Sequence, residues 1–281
     1  MSRKKLRISV FSLFRDSEHY LDRLFDLINQ MELCTDASFE YFFYENDSKD
    51  STVEKLKGWI NSKDGKFFSE NANEKSYGST MEPSRVIKMA RIRNKMANLG
   101  KPVSSDYTIV FDSDITFDPN IINDYLKFSN LNFSMLTPNI RQNVPCKMGS
   151  GDSTSYYDSW SLMDHEKNQC MTWSSNPFYN SKDRKLFEEQ KPIDVFRSFG
   201  GFVFIKSEYF NKSKWFSDGQ LEHWHFCDEL RSFAPIYFLP SIQPKVEVNQ
   251  SSWDHESDVI DFQKKMLSNK WNRFLLKTNK T

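Results

Sequence analysis

The sequence predicts one α/β domain with a mainly parallel central sheet, helices on both faces of that sheet and an elaborated second half. Three observations predict this class. Apolar strand-like segments alternate with amphipathic helical segments as far as residue 112. Acidic side chains directly follow two of those strands. The 281-residue chain has 38% hydrophobic residues and shows no linker or internal repeat, so we expect a single domain over residues 1–281.

The first half contains predicted strands and helices in strict alternation. Short apolar runs predict strands, and apolar residues three and four apart predict helices, with Ser17 available to cap the first helix. The strands are predicted at 7–14, 39–44, 66–69 and 107–111. The helices are predicted at 17–31, around 53–60 and at 85–99. This order brings the carboxyl ends of the strands to one edge of a parallel sheet, where open α/β sheets bind ligands.

The second half has a less regular pattern. Strands are predicted at 132–137, 197–205, 236–239 and 244–248, and a helix is predicted at 222–233. The segments 142–158 and 167–191 have no clean period. Gly200 and Gly201 interrupt the strand predicted at 197–205, which indicates either a bulge or a close approach of the backbone to a ligand.

Charge and composition exclude several classes of function. Lys plus Arg and Asp plus Glu both number 38, so there is no overall field to attract nucleic acid. No stretch approaches the roughly 20 apolar residues of a membrane span, and the first residues do not form a signal peptide. The cysteines are scattered, which is typical of free thiols in a reducing compartment. We therefore expect a soluble, cytoplasmic protein. The cysteines are Cys34, Cys146, Cys170 and Cys227.

The strongest local signal is a pair of carboxylates, Asp112 and Asp114, that ends an apolar strand. Because side chains alternate along a strand, both point to the same side, with Ser113 between them. Such a pair suits one hard cation, Mg²⁺ or Mn²⁺, which would bridge phosphates and absorb charge as a diphosphate leaves. The alternative is an ordinary turn, since Asp and Ser favour turns.

Polar residues at the same edge are candidate contacts for a nucleotide. Glu45 and Asp47 follow the second strand and can accept hydrogen bonds from a base or a ribose, although neighbouring Ser48 can instead cap the next helix. Arginines on the third helix can reach a diphosphate, or form a solvated helix face. The candidate nucleotide-binding residues are Phe14, Arg15, Glu45, Asp47, Arg85, Arg93, Asp112 and Ser113.

Five motifs in order resemble the GT-A glycosyltransferases, and more narrowly the cryptococcal capsule-associated α-1,3-mannosyltransferases. The resemblance covers residues 7 to about 248 and implies the GT-A fold. It implies a nucleotide-sugar donor bound by residues 1–118, a glycan acceptor bound by residues 119–281, and a divalent cation. The motifs are Glu45-Asn46-Asp47-Ser48, Arg91-Ile92-Arg93-Asn94, Phe111-Asp112-Ser113-Asp114, Ser198-Phe199-Gly200-Gly201, and Glu222-His223 with Phe226-Cys227.

The same resemblance implies roles for individual residues. Asp114 is expected to bind the metal directly, Asp112 to contact ribose or the metal through water, and Asp47 to contact the nucleotide. His255 is the candidate third metal ligand, with an ordinary surface histidine as the alternative. An inverting transfer needs a base for the proton of the acceptor hydroxyl, and Glu222 is the first candidate. Asp228 is the second candidate base, and a core helix start is the alternative for this segment. The candidate substrate contacts are Gly200, Gly201, His223 and Trp224.

Two departures from many eukaryotic relatives narrow the expectation. We expect no amino-terminal membrane anchor, and one of the Asn-x-Ser/Thr sequons, at Asn46, lies in the predicted nucleotide site. A glycan there would obstruct the site, so a cytosolic protein fits better. Anchor-free enzymes of this kind resemble those encoded by large algal DNA viruses, which implies the host cytoplasm. That resemblance favours a UDP-sugar donor, in particular UDP-xylose, and a xylosyltransferase.

Three alternatives stay open. A GDP-mannose-dependent mannosyltransferase of the retaining type would share the fold. A nucleotidyltransferase would use the same sheet edge, but such enzymes usually carry a Gly-rich loop after the first strand, and this sequence has no glycine there. A non-catalytic nucleotide- or glycan-binding module would keep the fold without turnover, although the presence of Asp112, Asp114 and Glu222 argues against it. The 15% of aromatic residues fits an aromatic core or aromatic walls around a sugar.

Overall fold

The computed structural model describes residues 5–77, 82–142, 154–171 and 174–247. The strands in these ranges are β1 (Leu6–Phe14), β2 (Ala37–Asn46), β3 (Gly65–Glu70), β4 (Tyr107–Asp112), β5 (Ile115–Thr116), β6 (Met135–Pro138), β7 (Arg141–Gln142), β8 (Ser155–Tyr156), β9 (Met163–Asp164), β10 (Ile193–Arg197), β11 (Phe202–Lys206), β12 (Ile236–Leu239) and β13 (Lys245–Val246). The helices are α1 (Glu18–Cys34), α2 (Thr52–Ile60), α3 (Pro83–Asn98), α4 (Ile121–Leu126), α5 (Ser181–Glu188), α6 (Ser207–Phe210) and α7 (Glu222–Phe233).

A nine-stranded sheet with the order β3-β2-β1-β4-β11-β6-β12-β10-β9 forms the centre of the fold. The first four strands of that order are parallel to one another. From β11 onward the sheet is mixed, because β11 runs antiparallel to both β4 and β6, whereas β12 is parallel to β6. A small second sheet has the order β5-β13-β7-β8. The strand order reverses beside β1, which is where doubly wound sheets bind ligands.

Both faces of the parallel region are covered by helices, as the sequence predicts. Successive residues of a strand point to opposite faces, so the neighbouring Phe42 and Phe43 of β2 pack on opposite sides of the sheet. Phe43 packs on Trp59 of α2 at 5.5 Å between ring centroids. Phe42 packs on Phe11 at 4.7 Å, and Phe11 in turn contacts Phe210 of α6 at 5.0 Å. Much of the aromatic content therefore forms the core of the fold.

The second half differs from expectation in two places. The strand predicted at 197–205 is two strands, since β10 ends at Arg197 and β11 begins at Phe202 after a glycine turn. The segment 167–191, which has no clean period, contains α5, whose N-cap Asn180 accepts a hydrogen bond from the backbone N–H of Asp183 at 2.8 Å. The capping hydrogen bond expected of the Ser17 side chain on α1 is absent. The end of the strand predicted at 244–248 lies outside the described residues.

Two further expectations concern segments and thiols. Within the described ranges, every helix is either too short or too polar to cross a membrane. Cys34, Cys170 and Cys227 form no disulfide in the described part of the chain. Cys146 lies outside it.

Candidate functional site

The carboxyl ends of β1, β2 and β4 meet at one edge of the sheet and are joined by hydrogen bonds. The backbone N–H of Asp16, after β1, donates to the Ser48 hydroxyl, after β2, at 2.9 Å. The N–H of Lys49 donates to the Asp16 carboxylate at 2.8 Å. The hydroxyls of Ser17 and Ser113 lie 3.2 Å apart, which connects β1 to the turn after β4. The three predicted loops therefore form one polar surface.

A cavity of about 490 Å³ opens between the ends of β2 and β3. Its volume lies within the range of small-molecule sites, ~300–1,000 Å³. Arg15, Glu45 and Asp47, all predicted nucleotide contacts, line it together with the segment 71–76. Phe14 does not line it, because its side chain is 2% exposed and packs on Phe43 in the core.

Glu45 and Asp47 shape this cavity through internal hydrogen bonds. Glu45 is 1% exposed and accepts bonds from the Ser48 N–H at 2.7 Å and the Ser69 hydroxyl at 2.5 Å. The Asp47 carboxylate accepts the N–H groups of Asn73 at 2.8 Å and Glu74 at 3.3 Å. Although burial acts to raise the pKa of Asp47, these bonds and one from the Asn46 side chain hold it below its usual value. Asp47 therefore fixes the cavity wall as a carboxylate.

Asp112 and Asp114 form the predicted pair at the end of β4. Burial, with the nearby carboxylates of Asp112 and Glu247, raises the pKa of Asp114 to about 7. Crowded like charges of this kind are what a divalent cation would relieve, so the pair fits one. Within the described residues no group of three or more His, Cys, Asp or Glu side chains is arranged to hold a metal ion, and His255 lies outside those residues. A Mg²⁺-like ion commonly takes one or two carboxylates and completes its shell with substrate phosphates and water.

Arg93 lies between this pair and α7. Its guanidinium is 3.4 Å from Asp112 Oδ1 through Nη2 and 3.2 Å from Glu222 Oε1 through Nε. It also lies over the Phe199 ring, 5.2 Å from the centroid. Arg93 and Glu222 are almost fully buried, at 5% and 2% exposed. Within the described chain, Arg93 Nη1 and Glu222 Oε2 have no hydrogen-bond partner, which is unusual for buried charged atoms and typical of functional sites.

His223 extends the same cluster. Its ring stacks on Phe199 at 3.7 Å between centroids, and its Nε2 lies 3.4 Å from Glu222 Oε1. Burial, with the charges of Arg93 and Arg85, lowers the pKa of His223 well below its usual value, so the ring is neutral. The structure thus brings Arg85, Arg93, Asp112, Glu222 and His223 into one region.

The Gly200–Gly201 turn joins the pair to the second half. Both residues have positive φ, +71° and +66°, which L side chains rarely adopt. The Gly201 carbonyl accepts the N–H of Asp112 at 2.8 Å. A Cβ on Gly201 would lie 2.9 Å from Ile140 Cδ1 and 3.5 Å from Asp112 Oδ2. The two glycines thus bring the backbone against Asp112, whereas the predicted approach of this backbone to a ligand stays a prediction.

Asp158 is a site residue that the sequence does not indicate. Its Oδ2 accepts the Gly200 N–H at 2.8 Å and the Ser161 hydroxyl. Burial raises the pKa of Asp158 to about 6, with Asp112 adding to the effect. A single Asp in an aperiodic segment carries no signal in one sequence, so the long-range pairing with Gly200 is needed to find it.

Asp228 and Trp224 lie elsewhere on α7. Asp228 forms a bidentate pair with Arg197, with N–O distances of 2.7 and 2.5 Å. The Trp224 indole N–H donates to the Trp160 carbonyl at 3.1 Å. The two candidate bases are thus separated, with Glu222 beside Asp112 and Asp228 beside Arg197.

Comparisons with known proteins agree with this architecture. Residues 8–238 match the sequence model of the family described as cryptococcal mannosyltransferase 1. A search of curated protein sequences gave no significant match.

Among solved structures, mannosyltransferase PcManGT from Pyrobaculum calidifontis, in complex with GDP-Man and Mn²⁺, has a TM-score of 0.53 at 9% identity, over 89% of this chain and 59% of that chain. S. aureus TarS 1-349 in complex with UDP has a TM-score of 0.51 at 14% identity, over 88% of this chain and 62% of that chain. Its complex with UDP-GlcNAc has a TM-score of 0.50 at 14% identity, over 88% and 60%. The chain spans less than two thirds of the length of these structures. They confirm the predicted GT-A α/β fold.

Proposed function

The chain belongs to the family described as cryptococcal mannosyltransferase 1, and we propose from this premise that it transfers one sugar from a nucleoside-diphosphate sugar to a hydroxyl of a glycan acceptor. The protein is a glycosyltransferase of the GT-A type. The observation that supports sugar transfer from a nucleotide donor is that the carboxyl ends of β1, β2 and β4, with Asp112 and Asp114, meet at one edge of the sheet. The same edge carries a cavity of about 490 Å³. As two halves of one domain, residues 1–118 bind the donor and residues 119–281 bind the acceptor.

Donor binding follows from the site's two parts. The nucleoside enters the cavity whose wall Asp47 fixes, and the diphosphate lies toward Asp112 and Asp114. Asp112 and Asp114 would hold a divalent cation there, which would supply positive charge for the departing diphosphate. Arg93 holds Asp112 in place, and the buried Glu222 holds Arg93.

The transfer forms a bond between an acceptor hydroxyl oxygen and the anomeric carbon of the donor sugar. The bond from that carbon to the diphosphate oxygen breaks, and its electron pair leaves with the nucleoside diphosphate. The hydroxyl proton passes to a carboxylate, for which Asp158 is the best placed, because Gly200 and Ser161 fix its Oδ2 and none of the described residues forms a salt bridge with it. Glu222 and Asp228 are the competing candidates, but each is already paired with an arginine. With a base in this position the reaction inverts the anomeric centre.

Two nucleotide-sugars are candidate donors. A UDP-sugar, specifically UDP-xylose, is the donor favoured by the resemblance to viral enzymes. GDP-mannose is the second candidate, and the family description and the GDP-Man complex of PcManGT favour it. A mannosyl transfer of the retaining type would need no base on the acceptor side, and Asp158 would then position the acceptor.

A thermal-shift panel of UDP, GDP and CMP, each with and without Mn²⁺, tests donor binding. A ligand at about 100 times its dissociation constant adds ~2.7 kcal/mol of stability. We expect one uracil or guanine nucleotide to stabilise the protein when Mn²⁺ is present. If no nucleotide shifts the transition in either condition, the proposal is wrong. For the matching nucleotide-sugar, the anomeric configuration of the product by NMR separates inversion from retention.

A further inference from the structure

A second cavity, of about 170 Å³, lies between the end of β10, the segment 216–221 and α7. Trp224, His225 and Asp228 line it from α7, whereas Glu222 of the same helix does not. Arg197 and Phe216 complete the walls. It is therefore separate from the nucleotide cavity, which the segments after β1, β2 and β3 form.

The cavity combines exposed aromatic surface with a fixed aromatic ring. Phe216 is 51% exposed, so its ring is accessible to a ligand. Trp224 is held at its indole N–H by the Trp160 carbonyl, and the Arg197 guanidinium lies 5.0 Å from its ring centroid. Rings of this kind pack against the CH faces of a sugar.

The polar wall can recognise hydroxyl groups. The two oxygens of Asp228 each accept one hydrogen bond from Arg197, but a carboxylate has about four acceptor positions. The Asp228 side chain is 40% exposed, so acceptor positions remain open to a ligand. Arg197 and Asp228 neutralise each other, and Asp218 adds a negative charge to the same cavity. An anionic ligand is therefore disfavoured, and a neutral polyhydroxylated one is favoured.

Two connections place this cavity next to the site of transfer. Arg197 ends β10 only three residues before Gly200, whose N–H binds Asp158. Trp224 is bonded to Trp160, and Ser161, the next residue, donates its hydroxyl to Asp158. Both walls of the cavity are therefore tied to Asp158 by short segments.

We propose that the cavity bounded by Trp224, Phe216, Arg197 and Asp228 binds one neutral sugar unit of the acceptor glycan. This assignment rests on the proposed glycosyltransferase activity, and it adds a location and a chemical class for the acceptor. The aromatic rings take the apolar face of the sugar, and the Arg197–Asp228 pair takes its hydroxyls.

Saturation-transfer NMR on the full chain tests the assignment without knowledge of the natural acceptor. The probes are methyl α-D-mannopyranoside and methyl β-D-xylopyranoside, which are neutral, and methyl β-D-glucuronide, which is anionic. We expect a neutral glycoside to bind and the glucuronide not to bind. Phe216→Ala should weaken binding about threefold to tenfold through loss of ring contact. Asp228→Asn should weaken it about tenfold, because a charged acceptor is replaced by a neutral one.

Phe233→Ala is the matched control, since Phe233 is a 40% exposed aromatic residue of α7 that does not line the cavity. Circular dichroism checks that each variant is folded. The assignment is overturned if neither neutral glycoside binds, if Phe216→Ala and Asp228→Asn bind as the wild type does, or if the glucuronide binds equally well. Nucleotide affinity is measured on the same protein. Sugar binding that depends on Phe216 and Asp228, without any nucleotide binding, would support the sugar site and contradict the proposed activity.

Discussion

Asp112 is held from two directions by groups that are far away in the sequence. Its backbone N–H donates to Gly201, and its carboxylate lies 3.4 Å from Arg93. Asp114, two residues later, forms no ion pair with the described residues, and its raised pKa follows from burial beside like charges. The two carboxylates are therefore different: Asp112 is positioned by the protein, whereas Asp114 has the less restrained carboxylate, which suits the metal ligand that we propose.

We expect Asp114→Ala to abolish cation-dependent nucleotide binding. Isothermal titration calorimetry of the matching nucleoside diphosphate should show a clear loss of affinity when Mn²⁺ is removed from the wild type by a chelator. In Asp114→Ala the affinity should stay at that lower level with or without Mn²⁺, because one of two protein ligands is gone. Asp124→Asn, at an exposed position on α4, should behave as wild type. Wild-type affinity that is unchanged by the chelator would contradict the metal site.

A second residue-scale prediction distinguishes the three candidate bases, Asp158, Glu222 and Asp228. If Asp158 takes the proton, Asp158→Asn should lower turnover by about 10²–10⁴-fold while donor affinity stays near normal. Glu222→Gln should instead leave Arg93 without its buried counter-charge and lower the stability of the fold, measured by urea unfolding. If Glu222→Gln or Asp228→Asn loses turnover about 10²–10⁴-fold while Asp158→Asn keeps normal turnover, the base is Glu222 or Asp228 and not Asp158.

The pH dependence gives an independent check on Asp158. Burial raises the pKa of Asp158 to about 6, and a base must be deprotonated to act. In the wild type kcat/KM should therefore rise with pH through about 6 and level off above it. Asp158→Asn should lack that rise over the same pH range. A wild-type profile that is flat across pH 5 to 7 would rule Asp158 out as the base.

Among the elements, those of the first half follow directly from local sequence, and those of the second half do not. Alternation of apolar strands and amphipathic helices is a local pattern, so β1 to β4 and α1 to α3 lie close to their predicted limits. The strand predicted at 197–205 with an interruption at its glycines is instead two strands, β10 and β11, because two glycines with positive φ form a turn, and sequence does not fix the sign of φ. Helix α5 was not expected because it is short and largely polar.

The glycine turn gives the element-scale prediction. Gly201→Ala forces a side chain into φ +66° and within 2.9 Å of Ile140, so we expect a loss of about 1–3 kcal/mol in the free energy of unfolding. Gly58→Ala, inside α2 with nothing within 4 Å of the new Cβ, should instead gain about 0.5–1 kcal/mol. Urea unfolding of both variants measures the difference. A Gly201→Ala variant as stable as wild type would show that the turn is not strained by a side chain.

At the scale of the whole molecule, the sequence predicts the donor-side residues of the candidate site but not the acceptor-side ones. Asp112, Asp114 and Asp47 follow predicted strands, so strand order alone places them together. Asp158 reaches the site only through contacts made in the folded chain. Its partner Gly200 is distant in the sequence, and its partner Ser161 is not marked by any regular sequence pattern. Long-range pairing of this kind is absent from local patterns, which is why the acceptor side could not be predicted residue by residue.

Lys101 gives a prediction about the stability of the whole fold. Burial lowers the pKa of Lys101 to about 8, and its ammonium lies 4.3 Å from the Phe210 ring centroid. The unfolded chain, with a lysine pKa of about 10.4, binds more protons between these values, so the free energy of unfolding gains a rising contribution from about pH 8 to about pH 10. Relative to wild type, Lys101→Met should lack this rise, whereas Lys127→Met, at a 69% exposed position, should keep it. Parallel wild-type and Lys101→Met curves in urea unfolding would contradict the buried charge.

The turn at Gly200 and Gly201 has a thermodynamic consequence. The Asp158 carboxylate accepts the Gly200 N–H, and the Gly201 carbonyl accepts the backbone N–H of Asp112, so a two-residue bridge links the carboxylate proposed as the base to the backbone of a residue proposed for the donor site. A donor that fixes Asp112 would then also restrict Asp158. Because binding free energies are state functions, any factor by which the donor nucleotide tightens acceptor binding must equal the factor by which the acceptor tightens the nucleotide. This bridge therefore favours positive cooperativity between the two substrates, and titrating each one at saturating levels of the other would measure its size.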